Sequence, residues 1–243
     1  MEQQELTISK SAVDRAGETF RRWLIHGDVD PDKLSDAYET VSRYRDMHAY
    51  PMRKVTGGVS HYIKTVRGDG SIRAGQRFKR MDRIINKLGR LTTRLSQMED
   101  IGGCRAVLEN VDQVYAVGNL IMERKTVARV GQPWRNVATI DYIANPKASG
   151  YRALHLIEER DGRLIEIQLR TPMQHRWAEA VETWVRPAVP FNLKDGGGPE
   201  AVKEYFRLAA AQITLVERGE KPDDTVERRM GALRVELDKY LRR

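Results

Sequence analysis

The sequence predicts an α/β fold of the α+β type, with a mixed core in the middle of the chain and helical extensions at both ends. Short apolar segments typical of strands are confined to about residues 101–170. Two of them are joined by Asp161-Gly162, a strong two-residue hairpin signal. Segments with helical periodicity lie before and after this region. The 243 residues can bury one full core and do not demand two domains.

The N-terminal third is predicted to be mainly helical. Residues 11–49 carry aromatic and apolar side chains on one side, and Pro51 is expected to end this region. Gly57-Gly58 and the run from Arg67 to Gly70 are interpreted as turns. Residues 77–91 are then predicted to form an amphipathic helix, with apolar positions at i, i+3, i+4 and i+7: Met81, Ile84, Ile85 and Leu88.

The central region is predicted to alternate strands and helices. The expected elements are a buried strand over 101–108, a helix over 111–123, a strand ending near Ile143 and the two hairpin strands over 151–159 and 163–170. Thr171 and Pro172 are typical of a helix start, and we expect a helix over 171–184.

The C-terminal region is predicted to contain a loop and two helices. Proline and glycine are frequent over 187–199, which indicates a loop, and helices are expected at about 200–217 and 223–242. The last helix has a heptad-like seam that is too short to predict a coiled coil. Packing on the core, a dimer contact and a partner contact all remain open for it, with packing the simplest interpretation.

Composition limits the classes of protein. Hydrophobic residues are 40% and charged residues 31% of the chain, which is typical of a globular protein. No run of about 18 apolar residues and no secretory h-region are found, and Cys104 is the single cysteine. We therefore expect a cytoplasmic protein without membrane spans, intramolecular disulfides or a Cys-rich zinc module. The net charge of +8 suits a nucleotide, RNA or an acidic protein as partner.

The hairpin strands carry the most informative polar residues. Alternation puts Glu166, Gln168 and Arg170 on the face opposite the apolar side chains of the same strand. Tyr151 and His155 are predicted to join that face from the paired strand. A solvated sheet face explains the first three residues equally well, and a structural histidine is the alternative for His155.

Two carboxylates and a set of cations indicate phosphate chemistry. Asp100 and Glu166 are a plausible oxygen ligand pair for Mg²⁺, provided that Asp100 lies before its strand or that the glycines form a bulge. No Walker loop and no G-x-G-x-x-G motif occurs, so side chains must neutralise any phosphates. The cations available for this are Arg77, Lys79, Arg83 and Lys87, although a solvated helix face is the usual meaning of such a stripe.

Four ordered segments together resemble the synthetase domain of the RelA/SpoT family of nucleotide pyrophosphokinases. They are RFKRMDRIINKL, MEDIGGCRAVL, DYIANPKASGYRALHL and IEIQLRTPMQHRWAE, and they cover about residues 77–180. The resemblance implies a mixed, mostly five-stranded sheet with helices on one face. It also implies a synthetase core over 61–186, an N-terminal helical region over 1–60 and C-terminal helices over 187–243.

The family transfers the β,γ-pyrophosphate of ATP to a ribose 3′-hydroxyl, and the resemblance implies a role for each matching residue. On the ATP side, Arg77 and Arg105 would sandwich the adenine, and Lys79, Arg83 and Lys87 would lie near the phosphates. Asp100 would hold Mg²⁺, and Glu166 would orient or deprotonate the attacking hydroxyl and contact the metal. On the acceptor side, Tyr151 would stack on the base, with the other contacts made by Lys147, His155, Gln168, Arg170 and His175. Arg152 is predicted to point away from this group.

Three departures from the usual guanine-nucleotide motif bear on the acceptor. Ile140 replaces a lysine, Ser149 an asparagine and Ala153 a serine. Together with the upstream HAYP at 48–51, these forms are similar to the toxic small alarmone synthetases, which pyrophosphorylate the 3′ CCA end of tRNA. We therefore expect a translation-inhibiting toxin, neutralised by a separate antitoxin protein. The alternatives are a (p)ppGpp synthetase or its adenine analogue, and a non-catalytic binding module.

Overall fold

The protein is described by a computed structural model over residues 8–123, 134–184, 193 and 197–241. The helices are α1 (Lys10–His26), α2 (Pro31–Asp46), α3 (Ala49–Arg67), α4 (Met81–Arg90), α5 (Val111–Glu123), α6 (Pro172–Trp184), α7 (Glu200–Glu217) and α8 (Asp224–Leu241). The strands are β1 (Gly75–Phe78), β2 (Gly102–Val107), β3 (Trp134–Asp141), β4 (Leu154–Arg160) and β5 (Arg163–Arg170). Most of the loop predicted over 187–199 lies outside the described residues.

The five strands form one mixed sheet in the order β1-β2-β5-β4-β3. Only the β2–β5 pair is parallel, and the other three pairs are antiparallel. One face of the sheet is apolar and packs against α3 and α5, where Ile165, Ile167 and Leu169 are fully buried. The predicted fold class is confirmed, and so is the predicted alternation along β5.

The β4–β5 hairpin forms at the predicted turn. Asp161 and Gly162 both have positive φ, 52° and 70°, which is typical of the type I′ turn that matches strand twist. The register pairs His155 with Gln168 and Ile157 with Glu166. The hairpin therefore brings His155 and the polar residues of β5 to one face, as the sequence predicts.

Two helix-breaking signals near the N-terminus were wrongly interpreted. Pro51 does not end a helix but lies in the first turn of α3, where a backbone N–H has no intrahelical acceptor. Gly57-Gly58 does not form a turn but lies inside α3. Burial of the apolar face of α3 outweighs the low helix propensity of the two glycines. The predicted turn that starts at Arg67 is confirmed, with Gly68 at φ 78° as the C-cap.

The segment 77–91 is only partly helical. The predicted apolar positions lie on α4, but the helix begins at Met81, and Gly75–Phe78 forms the edge strand β1 paired with β2. A four-residue strand is too short to show a periodicity of its own. The consequence for the site is that Arg77 projects from a strand, beside β2, and not from the basic face of α4.

The terminal helices pack on the core at two places. Side chains of α1, α2 and α4 form one buried cluster, and Tyr151 forms another with side chains of α6, α7 and α8. Leu237 of α8 belongs to the second cluster, which supports packing as the role of the last helix. The division at residues 60 and 186 stays a prediction, and α3 runs across residue 60. Among the described residues, no helix is both long and apolar enough to cross a membrane.

Acid is expected to destabilise the fold through His48. This side chain is 0% exposed against Gly102, and its Nδ1–H donates to the Tyr44 carbonyl oxygen at 2.9 Å. Burial, together with the charge of Arg163, lowers the pKa of His48 from 6.5 to about 4. The unfolded chain therefore binds the extra proton first, and stability falls as the pH drops from 6.5 to 4, by roughly 3 kcal/mol.

Chemical denaturation at several pH values measures this effect. A His48→Asn variant keeps a donor for the Tyr44 carbonyl and does not titrate, so its free energy of unfolding should depend less on pH in this window. An identical pH dependence in the variant and the parent would assign the acid sensitivity to other groups.

Candidate active site

The polar face of the sheet collects the ionisable side chains that the sequence singled out. Asp100 lies two residues before β2, which meets the condition set by strand alternation. Glu166 is on β5, the parallel neighbour of β2. The negative charge of Asp100 acts to raise the pKa of Glu166, which is consistent with the two carboxylates lying near each other.

Gly103 allows β2 and β5 to lie close together at this site. A Cβ atom at this position would be 2.6 Å from the backbone oxygen of Glu166. Any side chain would therefore push the strands apart and move the Glu166 carboxylate. Gly103 accordingly has a steric role at the floor of the site, because a strand glycine allows a close backbone approach.

Asp100 is held between two lysines. Lys79 Nζ lies 2.6 Å from Oδ2, and Lys87 Nζ lies 2.9 Å from Oδ1. Burial alone would raise the pKa of Asp100, but the two ammonium groups outweigh it and hold the pKa below its usual range. Asp100 is thus ionised at neutral pH, and its carboxylate holds the ammonium groups of Lys79 and Lys87 close together. Arg83 does not join them; it is exposed and pairs with Asp82 at 3.6 Å.

Glu166 is oriented by its neighbours on the hairpin. His155 Nδ1 lies 2.9 Å from Oε1, and Gln168 Nε2 donates to Oε2 at 2.6 Å. Burial raises the pKa of Glu166, but hydrogen bonds from His155 and Gln168 oppose burial, and the net result is a lowered pKa. Glu166 is therefore a fixed, ionised carboxylate, which suits it to orient a hydroxyl or accept its proton.

A directed chain of hydrogen bonds leads to this carboxylate. Arg170 donates to the Tyr151 hydroxyl oxygen, whose own hydrogen is left to donate to His155 Nε2 at 2.7 Å. The remaining His155 nitrogen, Nδ1, then carries the proton that points at Glu166. Both nitrogens of His155 have protein partners, so the ring fixes the position of Glu166. Its predicted contact with acceptor phosphates stays a prediction and would require one of these bonds to open.

Arg77 and Arg105 lie on neighbouring strands in a diagonal arrangement. Arg77 pairs with Gly103 and Arg105 pairs with Gly75, so the two arginines are two residues apart in register on one face. Diagonal neighbours are about 7 Å apart, close to the width needed for a planar ring between two guanidinium groups. Burial, and then the charges of Arg170 and Arg77, lower the pKa of Arg105.

Tyr151 is more enclosed than the sequence suggests. Its side chain is 5% exposed, and its ring meets Tyr142 and Trp177 at centroid distances of 5.7 and 6.3 Å. Lys147 Nζ and Arg170 Cζ lie 5.5 and 5.0 Å from the ring centroid. Stacking on an acceptor base stays a prediction, and it requires rearrangement of these cations.

Tyr142 was missed by sequence reasoning. Its half-buried ring meets His155 edge-on at 5.2 Å, and Lys147 Nζ lies 5.0 Å from its centroid. Its position directly after β3, in the same DYIANPK segment as Lys147, was the available signal. Tyr142 therefore offers a second, more accessible aromatic surface beside Tyr151.

Several buried donors in this region have no partner among the described residues. They are Nε and Nη1 of Arg170, Nδ1 of His175 and the hydroxyl of Ser149. Burial, with the charges of Arg105 and Arg170, lowers the pKa of His175 despite nearby Glu179. Buried donors without acceptors are costly, so an anionic or oxygen-bearing ligand would be favoured beside Arg170 and His175, which interact electrostatically. Arg152 points away from these two residues to Glu217, as alternation predicts.

The family model and the similar proteins of known sequence point to the same family. Residues 76–186 match the family described as the region found in RelA / SpoT proteins. The GTP pyrophosphokinase YjbM of Bacillus subtilis (strain 168) is 31% identical over 190 residues, which are 73% of this chain and 74% of YjbM. The GTP pyrophosphokinase YwaC of the same organism is 34% identical over 116 residues, covering 42% of this chain and about half of YwaC, 52%.

Solved structures agree with this comparison. Small alarmone synthetase 2 from Bacillus subtilis gives a TM-score of 0.59 at 24% identity, covering 73% of this chain and 94% of that one, which supports the fold. Small alarmone synthetase 1 from the same organism, bound to its product pppGpp, gives a TM-score of 0.54 at 26% identity with the same coverage.

Proposed function

Because the chain belongs to the RelA/SpoT family, we propose that it is a pyrophosphokinase that transfers the β,γ-pyrophosphate of ATP to the ribose 3′-hydroxyl of GDP or GTP. The observation that carries the proposal is the convergence of Asp100, between two lysines, with the oriented carboxylate of Glu166 on one sheet face. Phosphoryl-type transfer needs such positioning and charge neutralisation more than covalent help from the protein.

The residues divide into a donor side and an acceptor side. Arg77 and Arg105 would flank the adenine, and Lys79 and Lys87 would neutralise the triphosphate. Glu166 would accept the proton of the 3′-hydroxyl while that oxygen bonds to the β-phosphorus and AMP leaves. Arg170 and His175 would bind the phosphates of the acceptor nucleotide. The base of that nucleotide would lie against Tyr142 and Tyr151.

Mg²⁺ fits the carboxylates of this site. No group of three or more metal-ligating side chains occurs among the described residues. Asp100 and Glu166 provide the one or two carboxylates that Mg²⁺ uses when substrate phosphates supply further oxygens. When bound, the ion would neutralise charge on the phosphates, and these two residues would hold it.

Two observations favour a guanine nucleotide over tRNA as the acceptor. They are the names of the relatives and the packing of Ala153, one of the three residues that depart from the guanine-nucleotide motif. YjbM and YwaC are both named GTP pyrophosphokinases. Ala153, one of the three departures, is 0% exposed in the apolar cluster beside α7. Packing in this cluster is therefore sufficient to account for a small apolar residue at this position. Ile140, Ser149 and the net charge of +8 keep tRNA as the second candidate, and a separate antitoxin goes with that candidate.

A labelling experiment tests the proposal. The protein is incubated with γ-labelled ATP, Mg²⁺ and either GDP, GTP, an adenine nucleotide or deacylated tRNA. We expect label on the guanine nucleotides and no label in the reaction with EDTA. Label on tRNA alone would overturn the proposed acceptor, and RNA binding should then weaken steeply with salt. No transfer to any acceptor would overturn the proposed chemistry.

A further inference from the structure

The carboxylate of Glu217, the last residue of α7, lies in a buried network behind the acceptor side of the site. Its Oε2 accepts hydrogen bonds from Arg152 Nη1 at 2.6 Å and from Gln174 Nε2 at 3.1 Å. Its Oε1 accepts from the Thr171 hydroxyl. The side chains of Arg152 and Glu217 are 8% and 7% exposed, so water screens their interaction only weakly.

Each partner of Glu217 adjoins a residue predicted to bind the acceptor. Arg152 directly follows Tyr151 in the chain. Thr171 directly follows Arg170 and, with Gln174, forms a reciprocal cap at the start of α6: each backbone N–H donates to the side chain of the other at 3.2 Å. Glu217 therefore ties together two segments that are separate in sequence and that supply adjoining parts of the predicted acceptor site.

The middle of α7 packs against the same region, at Gly150 and Trp177. Gly150 has φ 91°, and a Cβ atom there would lie 2.7 Å from Cβ of Ala210. Trp177 Nε1 donates to the carbonyl of Phe206 at 2.9 Å. The loop before Tyr151 is thus shaped directly against α7, and Glu217 is the charged anchor of that contact.

We propose that Glu217 is a positioning residue that sets the affinity for the acceptor, through Arg152 and the first turn of α6. The inference rests on the proposed function for its assay. Its partners in the structure are Arg152, Thr171 and Gln174, none of which belongs to the predicted ATP side. Loss of the carboxylate should therefore weaken acceptor binding and leave ATP binding nearly unchanged.

A Glu217→Gln variant is the first test. Glutamine keeps the shape but removes the charge and directs an amide N–H at side chains that are themselves donors. We expect KM for the guanine nucleotide to rise roughly tenfold, with KM for ATP within about threefold of the parent. The matched control is Glu204→Gln on the same helix, which loses an exposed pair with Arg229 at 2.7 Å and should leave both KM values unchanged.

A double variant separates an effect on acceptor binding from loss of the fold. Arg152→Met with Glu217→Met removes both charges at similar volume, an exchange that buried ion pairs often tolerate. We expect a folded protein, by thermal denaturation, that still has a raised acceptor KM. A folded variant with the parental acceptor KM, or with KM for ATP raised equally, would overturn the inference.

The outcome for the parent protein separates this inference from the proposed function. A parent that labels tRNA refutes the proposed acceptor, and the same comparison of KM values is then made with tRNA. An inactive parent refutes the chemistry, and dissociation constants of GTP and ATP replace the KM values. In both cases unchanged acceptor affinity in Glu217→Gln contradicts the positioning role.

Discussion

Replacing Glu166 by glutamine is expected to lower kcat for pyrophosphate transfer by about 10³-fold. Glutamine has the same shape but cannot accept the proton of the 3′-hydroxyl, and a positioned general base contributes roughly 10²- to 10⁴-fold. The proposed ATP side lies at Asp100 and its lysines, so the dissociation constant of ATP measured without Mg²⁺ should change by less than about threefold. Steady-state transfer assays and ATP titrations measure the two quantities.

The control for this substitution is Glu109→Gln. Glu109 is an exposed carboxylate that pairs with Arg67 at the apolar side of the sheet, away from the site. It should keep parental kcat, and thermal denaturation of both variants separates loss of chemistry from loss of the fold. If Glu166→Gln keeps kcat within tenfold of the parent, Glu166 is not the base. If Glu166→Gln instead loses kcat but keeps every cellular effect of the parent, the protein acts as a binding module.

The position of Glu166 follows from local rules of strand and turn geometry. A strand of alternating side chains and a two-residue turn with positive φ fix which residues share a face. From these rules the sequence predicts that Glu166, Gln168 and His155 converge, and the hairpin brings them together. Asp100 required one further condition, a position before β2, and it also holds.

Other parts of the site depend on contacts between distant segments, which periodicity does not encode. Glu217 belongs to a predicted helix, but nothing in that helix indicates that its last side chain meets Arg152, 65 residues earlier. The role of Tyr142 could not be predicted for the same reason, because it depends on the contacts of its ring with Tyr151 and His155. The helix that carries Glu217 was predicted and its partner was not, whereas Tyr142 was predicted inside a strand and lies directly after β3.

The errors near the N-terminus have the same origin. Pro51 and Gly57-Gly58 are local helix-breaking signals, yet α3 continues through them because its apolar face is buried against the sheet. The edge strand β1 exists through its pairing with β2, and its own four residues carry no strand pattern. Tertiary burial and pairing therefore overrode local preference in both places.

Replacing Asp100 by asparagine is expected to lower kcat/KM by at least about 100-fold and to raise the Mg²⁺ concentration needed for half-maximal activity. The substitution removes the charge that sits between Lys79 and Lys87, at 2.6 and 2.9 Å. It also removes a hard oxygen ligand suited to Mg²⁺, and each of these electrostatic contributions is large where charge develops on phosphates. Activity as a function of Mg²⁺ and of ATP measures both effects.

The comparison with Lys79→Met distinguishes the two roles of Asp100. The lysine variant keeps the carboxylate but loses one cation, so KM for ATP should rise while the Mg²⁺ requirement stays near that of the parent. If Asp100 only aligns the lysines, Asp100→Asn will reproduce the Lys79→Met pattern, with no change in the Mg²⁺ midpoint. A shifted midpoint in Asp100→Asn alone assigns the carboxylate to the metal, because the two variants disturb the same ion pair from opposite ends.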